Sequence, residues 1–198
     1  MNTNRLIGVV LAGGASRRMG GEPKALMDLN GETMLARAVA RLEPQVGRVL
    51  VNAPDEATYQ KGDRTIVNDP FPDRKGPLAG VLAAMSWAEA NDPEALGVIS
   101  VAVDTPLFPT DLAERLMEGW EPAGIAIARA GGRPQPTFGL WPIEALERLR
   151  SFLMTSETLK IMDFVEDNGV SFVDFEDEAA FENINTPDDL EALRTRLG

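Results

Sequence analysis

Residues 6–24 read LIGVVLAGGASRRMGGEPK. The stretch begins as an apolar run, LIGVVLA over 6–12, with no alternation of polar residues, the pattern of a strand buried on both faces in a parallel sheet. It then turns into a loop that holds Gly13, Gly14, Gly20 and Gly21 together with Arg17, Arg18 and Lys24. Glycines let backbone N–H groups approach an anion without a Cβ in the way, and guanidinium and ammonium groups add charge-assisted hydrogen bonds to phosphate oxygens. The spacing is neither G-x-x-x-x-G-K-[ST] nor G-x-G-x-x-G, so neither of the two common phosphate-loop fingerprints applies.

Three more runs carry the same buried-strand signature: RVLVNA (48–53), LGVISVAV (96–103) and GIAIAR (124–129). Helical stripes lie between them. ETMLARAVARLEPQ places Met34, Leu35, Ala38, Val39 and Leu42 on one face. GPLAGVLAAMSWAEAN does so with Leu78, Val81, Leu82, Met85 and Trp87 or Ala88. TDLAERLMEGW predicts a third helix with Thr110 as its N-cap. Strands alternating with helices of this length predict an α/β protein with three layers, α/β/α, around a mostly parallel sheet. Ligands in such folds bind at the carboxyl ends of the strands, which directs attention to the loops after Leu11, Asn52, Val67 and Val103.

The rhythm changes after residue 130. GGRPQPTFGLWP predicts one short strand over Thr137–Trp141. Helical IEALERLRSFL and SETLKIMDFVEDN follow, then the strand VSFVDF and the closing NINTPDDLEALRTRLG. In the last segment Thr186 as N-cap, Pro187 at the first helical position and Asp188 and Asp189 in the first turn account for a helix start with no ligand. Trp87, Trp120 and Trp141 are expected to pack in the core or at helix ends. With no repeat and no linker, the 198 residues are expected to form a single domain. Its nucleotide-binding half would run from about 1 to 130 and its acceptor-binding part from about 131 to 198.

Composition narrows the chemistry. The chain has neither cysteine nor histidine, which excludes disulfides, thiolate or imidazole metal sites, and any Ser-His-Asp relay. Carboxylates, Lys, Arg, hydroxyls, backbone amides and an oxygen-bound cation remain. The net charge of −12 argues against a nucleic-acid surface. Residues 1–30 nevertheless carry four basic against two acidic side chains, while the remaining 168 carry fifteen against twenty-nine. A positive spot on a negative protein suits a small anionic ligand. No apolar run approaches the ~18 residues of a membrane span and the first ten residues show no leader pattern, so a cytoplasmic protein is expected.

Six segments, in order, carry a family resemblance: VVLAGGASRRMGGEPKALMDLNGETML, VNAPDE, NDPFPDRKGPLAGVLAAM, VAVDTPLFPTDLAERL, RPQPTFGLWP and AFENINTPDDL. Together, from about residue 6 to 193, they resemble the MobA-like nucleotidyltransferase family, most closely the molybdenum cofactor guanylyltransferases. The resemblance implies a Rossmann-like nucleotidyltransferase fold. It also implies transfer of GMP from GTP to the terminal phosphate of molybdenum-molybdopterin, with release of pyrophosphate. By the same resemblance Leu11, Ala12, Gly13, Gly14 and Gly80 hold the nucleotide, Lys24 its phosphates, and Asn52 and Asp69 the guanosine. Asp104 holds Mg²⁺, for which Mn²⁺ can substitute, and Asn183 and Asn185 are the candidates to approach the acceptor phosphate or the metal.

Arg17, Arg18 and Lys24 are the expected partners of the departing pyrophosphate. Arg133 and Lys160, the only basic residues of 130–190 besides Arg148 and Arg150, are the expected acceptor-phosphate contacts. Apo-molybdoenzymes or their chaperones are the candidate recipients of the product. In one place the chain departs from the family pattern: Pro23, with Glu22 before it, stands where Asp usually precedes the motif lysine, and proline fixes φ and removes an N–H. Two alternatives stay open, a transferase of the same fold using CTP or another acceptor, and a GTP-binding module without turnover. A metal-dependent glycosyltransferase is disfavoured because Asp104 has no Asp-x-Asp partner.

Overall fold

The structure, a computed structural model, describes residues 2–13, 23–59, 63–71 and 76–197. Within them seven strands form one sheet: β1 (Leu6–Leu11), β2 (Arg48–Asn52), β3 (Thr65–Val67), β4 (Gly97–Ala102), β5 (Ile125–Ala130), β6 (Arg133–Pro142) and β7 (Val170–Phe175). Their spatial order is β3-β2-β1-β4-β6-β5-β7. Pairings β1·β2, β1·β4, β2·β3 and β5·β7 are parallel. β6 alone runs against its neighbours β4 and β5.

β1 shows why the opening run has no polar alternation. Leu6 and Val10 enter one apolar layer and Ile7 and Val9 the other, so both faces of the strand are covered. On the first face lie α1 (Met34–Leu42) and, after the short α2 (Glu56–Tyr59) and α3 (Pro77–Asn91), the helix α4 (Leu112–Glu118). On the second lie α3, α5 (Leu146–Thr155) and α6 (Ile161–Asp167). α7 (Pro187–Leu197) closes a third cluster, in which Leu190 and Leu193 meet Leu29, Met34 and Ile184.

The helical stripes appear with three differences. In α1, capped by Thr33 Oγ1 accepting from the Ala36 N–H at 3.1 Å, Val39 sits at the margin of the buried face. α3 is buried nearly all round over 78–85, Ala79, Gly80, Ala83 and Ala84 included, and α5 packs beside it on the same face of the sheet. Thr110 does not cap α4: Asp111 occupies the cap position and makes no side-chain cap bond.

The predicted strand over 137–141 is longer than its apolar core. It starts at Arg133, because β5 and β6 form a tight hairpin in which Gly131 (φ 54°) and Gly132 (φ 72°) are both left-handed, as a two-residue turn of this type requires. The register shifts between Ile127 and Ala128, so Gln135 faces Ala128 while Gly139 faces Ile127. Trp141 is fully buried and donates Nε1–H to Ser100 Oγ at 2.8 Å, and that hydroxyl donates to Thr137 O at 2.8 Å. Trp87 lies beside the Arg48 guanidinium, and Trp120 Nε1–H donates to Gly124 O. All three tryptophans thus pack rather than stand as exposed platforms. No helix among the described residues is long and apolar enough to cross a membrane.

Beyond β7 the chain turns back. The turn Glu178–Phe181 inserts Phe181 against Phe138 and Phe175, with ring centroids 5.2 and 5.4 Å away. This carries residues 182–185 across the sheet edge to the end of β4, where the Ile184 N–H donates to Asp104 O at 2.8 Å.

Candidate nucleotide-transfer site

Two groups of polar residues stand at the carboxyl ends of the parallel strands, on either side of the end of β1. The first is built around Asn52, the last residue of β2, which is almost completely buried. Its Nδ2 donates to Val67 O at 3.2 Å and to Asp69 Oδ1 at 2.8 Å. Its Oδ1 lies against the glycines at 13 and 80: an added Cβ would come within 3.1 Å of that oxygen at Gly13 and within 2.4 Å at Gly80. Gly80 therefore serves this group by lacking a side chain, which lets α3 lie directly on the carboxamide. Asn68, exposed, turns away and donates Nδ2–H to Ala53 O.

The second group joins three distant parts of the chain. Lys24, in the short helical turn Lys24–Leu26, is almost wholly buried, and its Nζ donates to Asp104 Oδ2 and to Asn185 Oδ1, each at 3.0 Å. Asp104 follows the end of β4 and stays partly exposed. Among the described residues its Oδ1 accepts no hydrogen bond. The neighbouring Thr105 hydroxyl, fully buried, donates to Asn183 Oδ1. Asn185 is fixed in turn by the start of α7. Asp189 Oδ2 accepts the N–H groups of Asn185 (2.9 Å) and Thr186 (2.8 Å), and Thr186 Oγ1 accepts the Asp189 N–H at 3.1 Å. The backbone N–H bonds from Asn185 and Thr186, the Thr186 side chain and the nearby Lys24 charge hold the Asp189 carboxyl below the usual carboxylate range.

The two groups are stitched together by backbone at β1. The Ala12 N–H donates to Asn52 O at 2.8 Å, and the Val103 N–H donates to Leu11 O at 3.3 Å. Leu11, Ala12 and Gly13 thus lie between the Asn52–Asp69 pair and the Lys24–Asp104 pair. Beside the second group a cleft of about 480 Å³ opens between the Pro106–Leu107 segment and α7, lined also by Glu182, Asn183, Asn185 and Asp189.

Of the residues expected from sequence, Lys24, Asp104 and Asn185 meet directly, and so do Asn52, Asp69, Gly13 and Gly80. Asn183 joins through Thr105. Gly14, Arg17 and Arg18 lie outside the described residues. Arg133, exposed at the start of β6, and Lys160, exposed immediately before α6, make no side-chain hydrogen bond or ion pair with either group. Pro23 does not keep Lys24 from the site. With φ −60° and ψ 126° it leads into the helical turn, and its carbonyl accepts the Leu26 N–H at 2.8 Å. Thr105 and the bond from the Asn185 N–H to Asp189 Oδ2 escaped the sequence reading. The T-x-x-D spacing of Thr186 and Asp189 was the available signal, since it is the spacing of a reciprocal cap.

No cluster of three or more carboxylates that could hold a metal by itself occurs among the described residues. The single carboxylate of Asp104, whose Oδ1 accepts no hydrogen bond among the described residues, fits a hard divalent cation whose other ligands are substrate phosphates and water.

Comparison with known proteins shows what the chain is similar to. The model of the MobA-like NTP transferase domain matches residues 8–169. A molybdenum cofactor guanylyltransferase of Cereibacter sphaeroides is 42% identical over 194 residues, covering 98% of this chain and 97% of the relative. One from Rhizobium johnstonii is 41% identical over 198 residues, covering 96% and 92%. Among solved structures, molybdopterin-guanine dinucleotide biosynthesis protein A from Archaeoglobus fulgidus has a TM-score of 0.75 at 24% identity, covering 97% of this chain and 98% of that one. The 4-diphosphocytidyl-2C-methyl-D-erythritol synthase of Anaerococcus prevotii has a TM-score of 0.71 at 13% identity, covering 97% and 95%. At these identities the two structures speak for the fold alone.

Proposed function

Because this chain belongs to the MobA-like NTP transferase family and is a nucleotidyltransferase, we propose that it transfers GMP from GTP to the terminal phosphate of molybdenum-molybdopterin. The products are the guanine dinucleotide form of the cofactor and pyrophosphate. The observation that carries the reading is the placement of Lys24 and Asp104, in contact at 3.0 Å, across the end of β1 from the Asn52–Asp69 pair. A nucleotide lying over Leu11–Gly13 would put its base on one group and its phosphates on the other.

The base end favours guanine. Asn52 engages Asp69 Oδ1 and, among the described residues, leaves Oδ2 as an acceptor. Guanine presents two adjacent donors, N1–H and the 2-amino group, which a carboxylate takes together, whereas the cytosine edge offers one amino donor beside two acceptors. The phosphate end needs no general base. A phosphate monoester has its second pKa near 6, so the acceptor oxygen is largely ionised at neutral pH. That oxygen forms a bond to the α-phosphorus while the bond from the α-phosphorus to the bridging oxygen breaks, and the electron pair leaves with pyrophosphate. A chain without histidine can do this by positioning and charge neutralisation.

Lys24 supplies a cation for the departing phosphates, with Arg17 and Arg18 assigned the same role. Asn183 and Asn185 line the acceptor side, and Arg133 and Lys160 are the more distant acceptor candidates. Mg²⁺, or Mn²⁺ in its place, would be held by Asp104 and would polarise the phosphoryl oxygens as a Lewis acid. A cytoplasmic setting belongs to the same reading, because both substrates are water-soluble anions.

The test is pyrophosphate release from Mg-GTP and, separately, Mg-CTP, with and without molybdenum-loaded molybdopterin. Acceptor-dependent release with GTP alone is expected. Release with CTP would overturn the nucleotide assignment, and no release with either would overturn the reaction.

A further inference from the structure

We propose that Asp189 is a positioning residue of the transfer site, acting through Asn185 on Lys24. The proposal rests on the functional reading above for its consequence in catalysis, and on hydrogen-bond geometry for its substance.

A helix cap of this kind needs two bonds: the N-cap hydroxyl accepting the N–H three residues on, and the carboxylate there accepting the N-cap N–H. Thr186 and Asp189 make both, at 3.1 and 2.8 Å. Asp189 Oδ2 makes a third, accepting the Asn185 N–H at 2.9 Å. The helix does not require it, because Asn185 precedes the cap. What it does is fix the backbone of the residue whose side-chain Oδ1 receives Lys24 Nζ at 3.0 Å.

Asn185 is held on its other side as well. Ile184 is buried against Leu29, Met34 and Leu190, and its N–H donates to Asp104 O at 2.8 Å. The Ile184 and Asn185 N–H groups therefore bind the strand-end residue Asp104 and the helix-start residue Asp189. Between these anchors the Asn185 backbone is held in place, and its carboxamide presents an acceptor to a lysine 161 positions earlier in the chain. Lys24 then stands between two oxygen acceptors, Asp104 Oδ2 and Asn185 Oδ1, and an incoming phosphate meets an ammonium group already aimed.

If Asp189 served only the helix, Thr186→Ala, which removes the bond on the helix side and leaves the Asn185 bond in place, would act on Lys24 as strongly as Asp189→Ala. The readout is the reductive methylation rate of Lys24 with formaldehyde and cyanoborohydride, followed by peptide mass spectrometry and normalised to exposed Lys160 in the same molecule. Asp189→Ala is expected to raise the Lys24 rate by about five-fold, the scale of one ordinary hydrogen bond lost from its surroundings. Asp189→Asn keeps an acceptor oxygen and the residue's shape, so it is expected to return the rate to within about two-fold of the original, and Thr186→Ala to stay within the same range.

Acceptor-dependent pyrophosphate release should follow the same order, with KM for GTP rising in Asp189→Ala and recovering in Asp189→Asn. A Lys24 rate unchanged in Asp189→Ala, or raised equally in Thr186→Ala, overturns the proposal. Should the unmodified protein release no pyrophosphate at all, the functional reading fails, and the lysine rates still decide whether Asp189 positions Lys24.

Discussion

Replacing Gly80 with alanine sets helix propensity against the geometry of the nucleotide site. Gly80 lies inside α3, where alanine is favoured over glycine by about 1 kcal/mol, so propensity alone makes the variant more stable. The space around it opposes this. A Cβ built there lies 2.4 Å from Asn52 Oδ1, 2.7 Å from Asn52 Cγ and 2.7 Å from Leu11 Cδ2. Asn52 cannot simply swing away, because it is buried and its Nδ2 is bonded to Val67 O and Asp69 Oδ1.

Overpacking of such a site costs about 1–3 kcal/mol. Displacing the carboxamide would also strip the Val67 carbonyl of its side-chain donor, at about 1 kcal/mol or more. Set against the propensity gain, a net loss of about 2 kcal/mol is expected. Urea unfolding should show it as a lower midpoint with an unchanged slope. Because Asp69 loses its partner in the same displacement, KM for GTP should rise about ten-fold, the equivalent of one such hydrogen bond. A variant as stable as the parent, or more so, would mean that Asn52 is not pinned against α3, and the argument that Gly80 exists for its sake would fall.

Asp104→Asn should reduce acceptor-dependent pyrophosphate release by about 10²–10³-fold with an unchanged far-UV circular dichroism spectrum, and a loss of only a few-fold would remove Asp104 from the centre of the chemistry. Trp141→Phe opens space at a fully buried position and deprives Ser100 Oγ of a donor, so it should cost about 2 kcal/mol in urea unfolding; a cost under about 0.5 kcal/mol would contradict the packing described. Asp174 accepts hydrogen bonds from Arg129 Nε and Nη2 at 2.6 Å each, and these hold its carboxyl below the usual range. Its contribution to stability is present above the unfolded-state value of about 4 and is lost as pH falls through the lower folded value. Asp174→Asn should therefore flatten the fall in stability below about pH 4, and an unaltered acid limb would refute the pairing.

Local features of the fold were legible because they arise within a few residues of chain. β1, β2, β4 and β5 announced themselves as unbroken Val- and Ile-rich runs, since each is covered on both faces. Asp104 was legible for the same reason: a carboxylate immediately after such a run must lie at the sheet edge. The extent of β6 was not. Residues 133–136 include Pro134 and Pro136, which read as loop, and join the strand because a glycine hairpin hands them to β5 and a register shift accommodates them. The all-round burial of α3 was written in its sequence, since PLAGVLAAM has no polar face, but that α5 is the neighbour beside it was not.

The least legible part of the site is the contact of Lys24 with Asn185, and the sheet order explains both why it exists and why the chain alone does not reveal it. β7 lies at the sheet edge beyond β5, three places from β4, so a chain leaving β7 starts far from the phosphate end of the site. It returns because Phe181 locks the turn Glu178–Phe181 onto Phe138 of β6 and Phe175 of β7, which spans the intervening strands. The antiparallel sense of β6 is what puts Phe138 within reach. β6 begins at the carboxyl edge of the parallel strands, so its early residues lie under the returning segment rather than at the opposite end of the sheet. One reversed strand thereby couples the last quarter of the chain to the glycine-rich opening. A disruption of the aromatic lock, such as Phe181→Ala, should release Asn183 and Asn185 from Thr105 and Lys24 and raise the methylation rate of Lys24 together with KM for GTP, although Phe181 touches neither residue. If both quantities stayed at their original values while stability fell by the ~3 kcal/mol expected for an emptied phenyl site, the returning segment would be held by α7 and its cap alone.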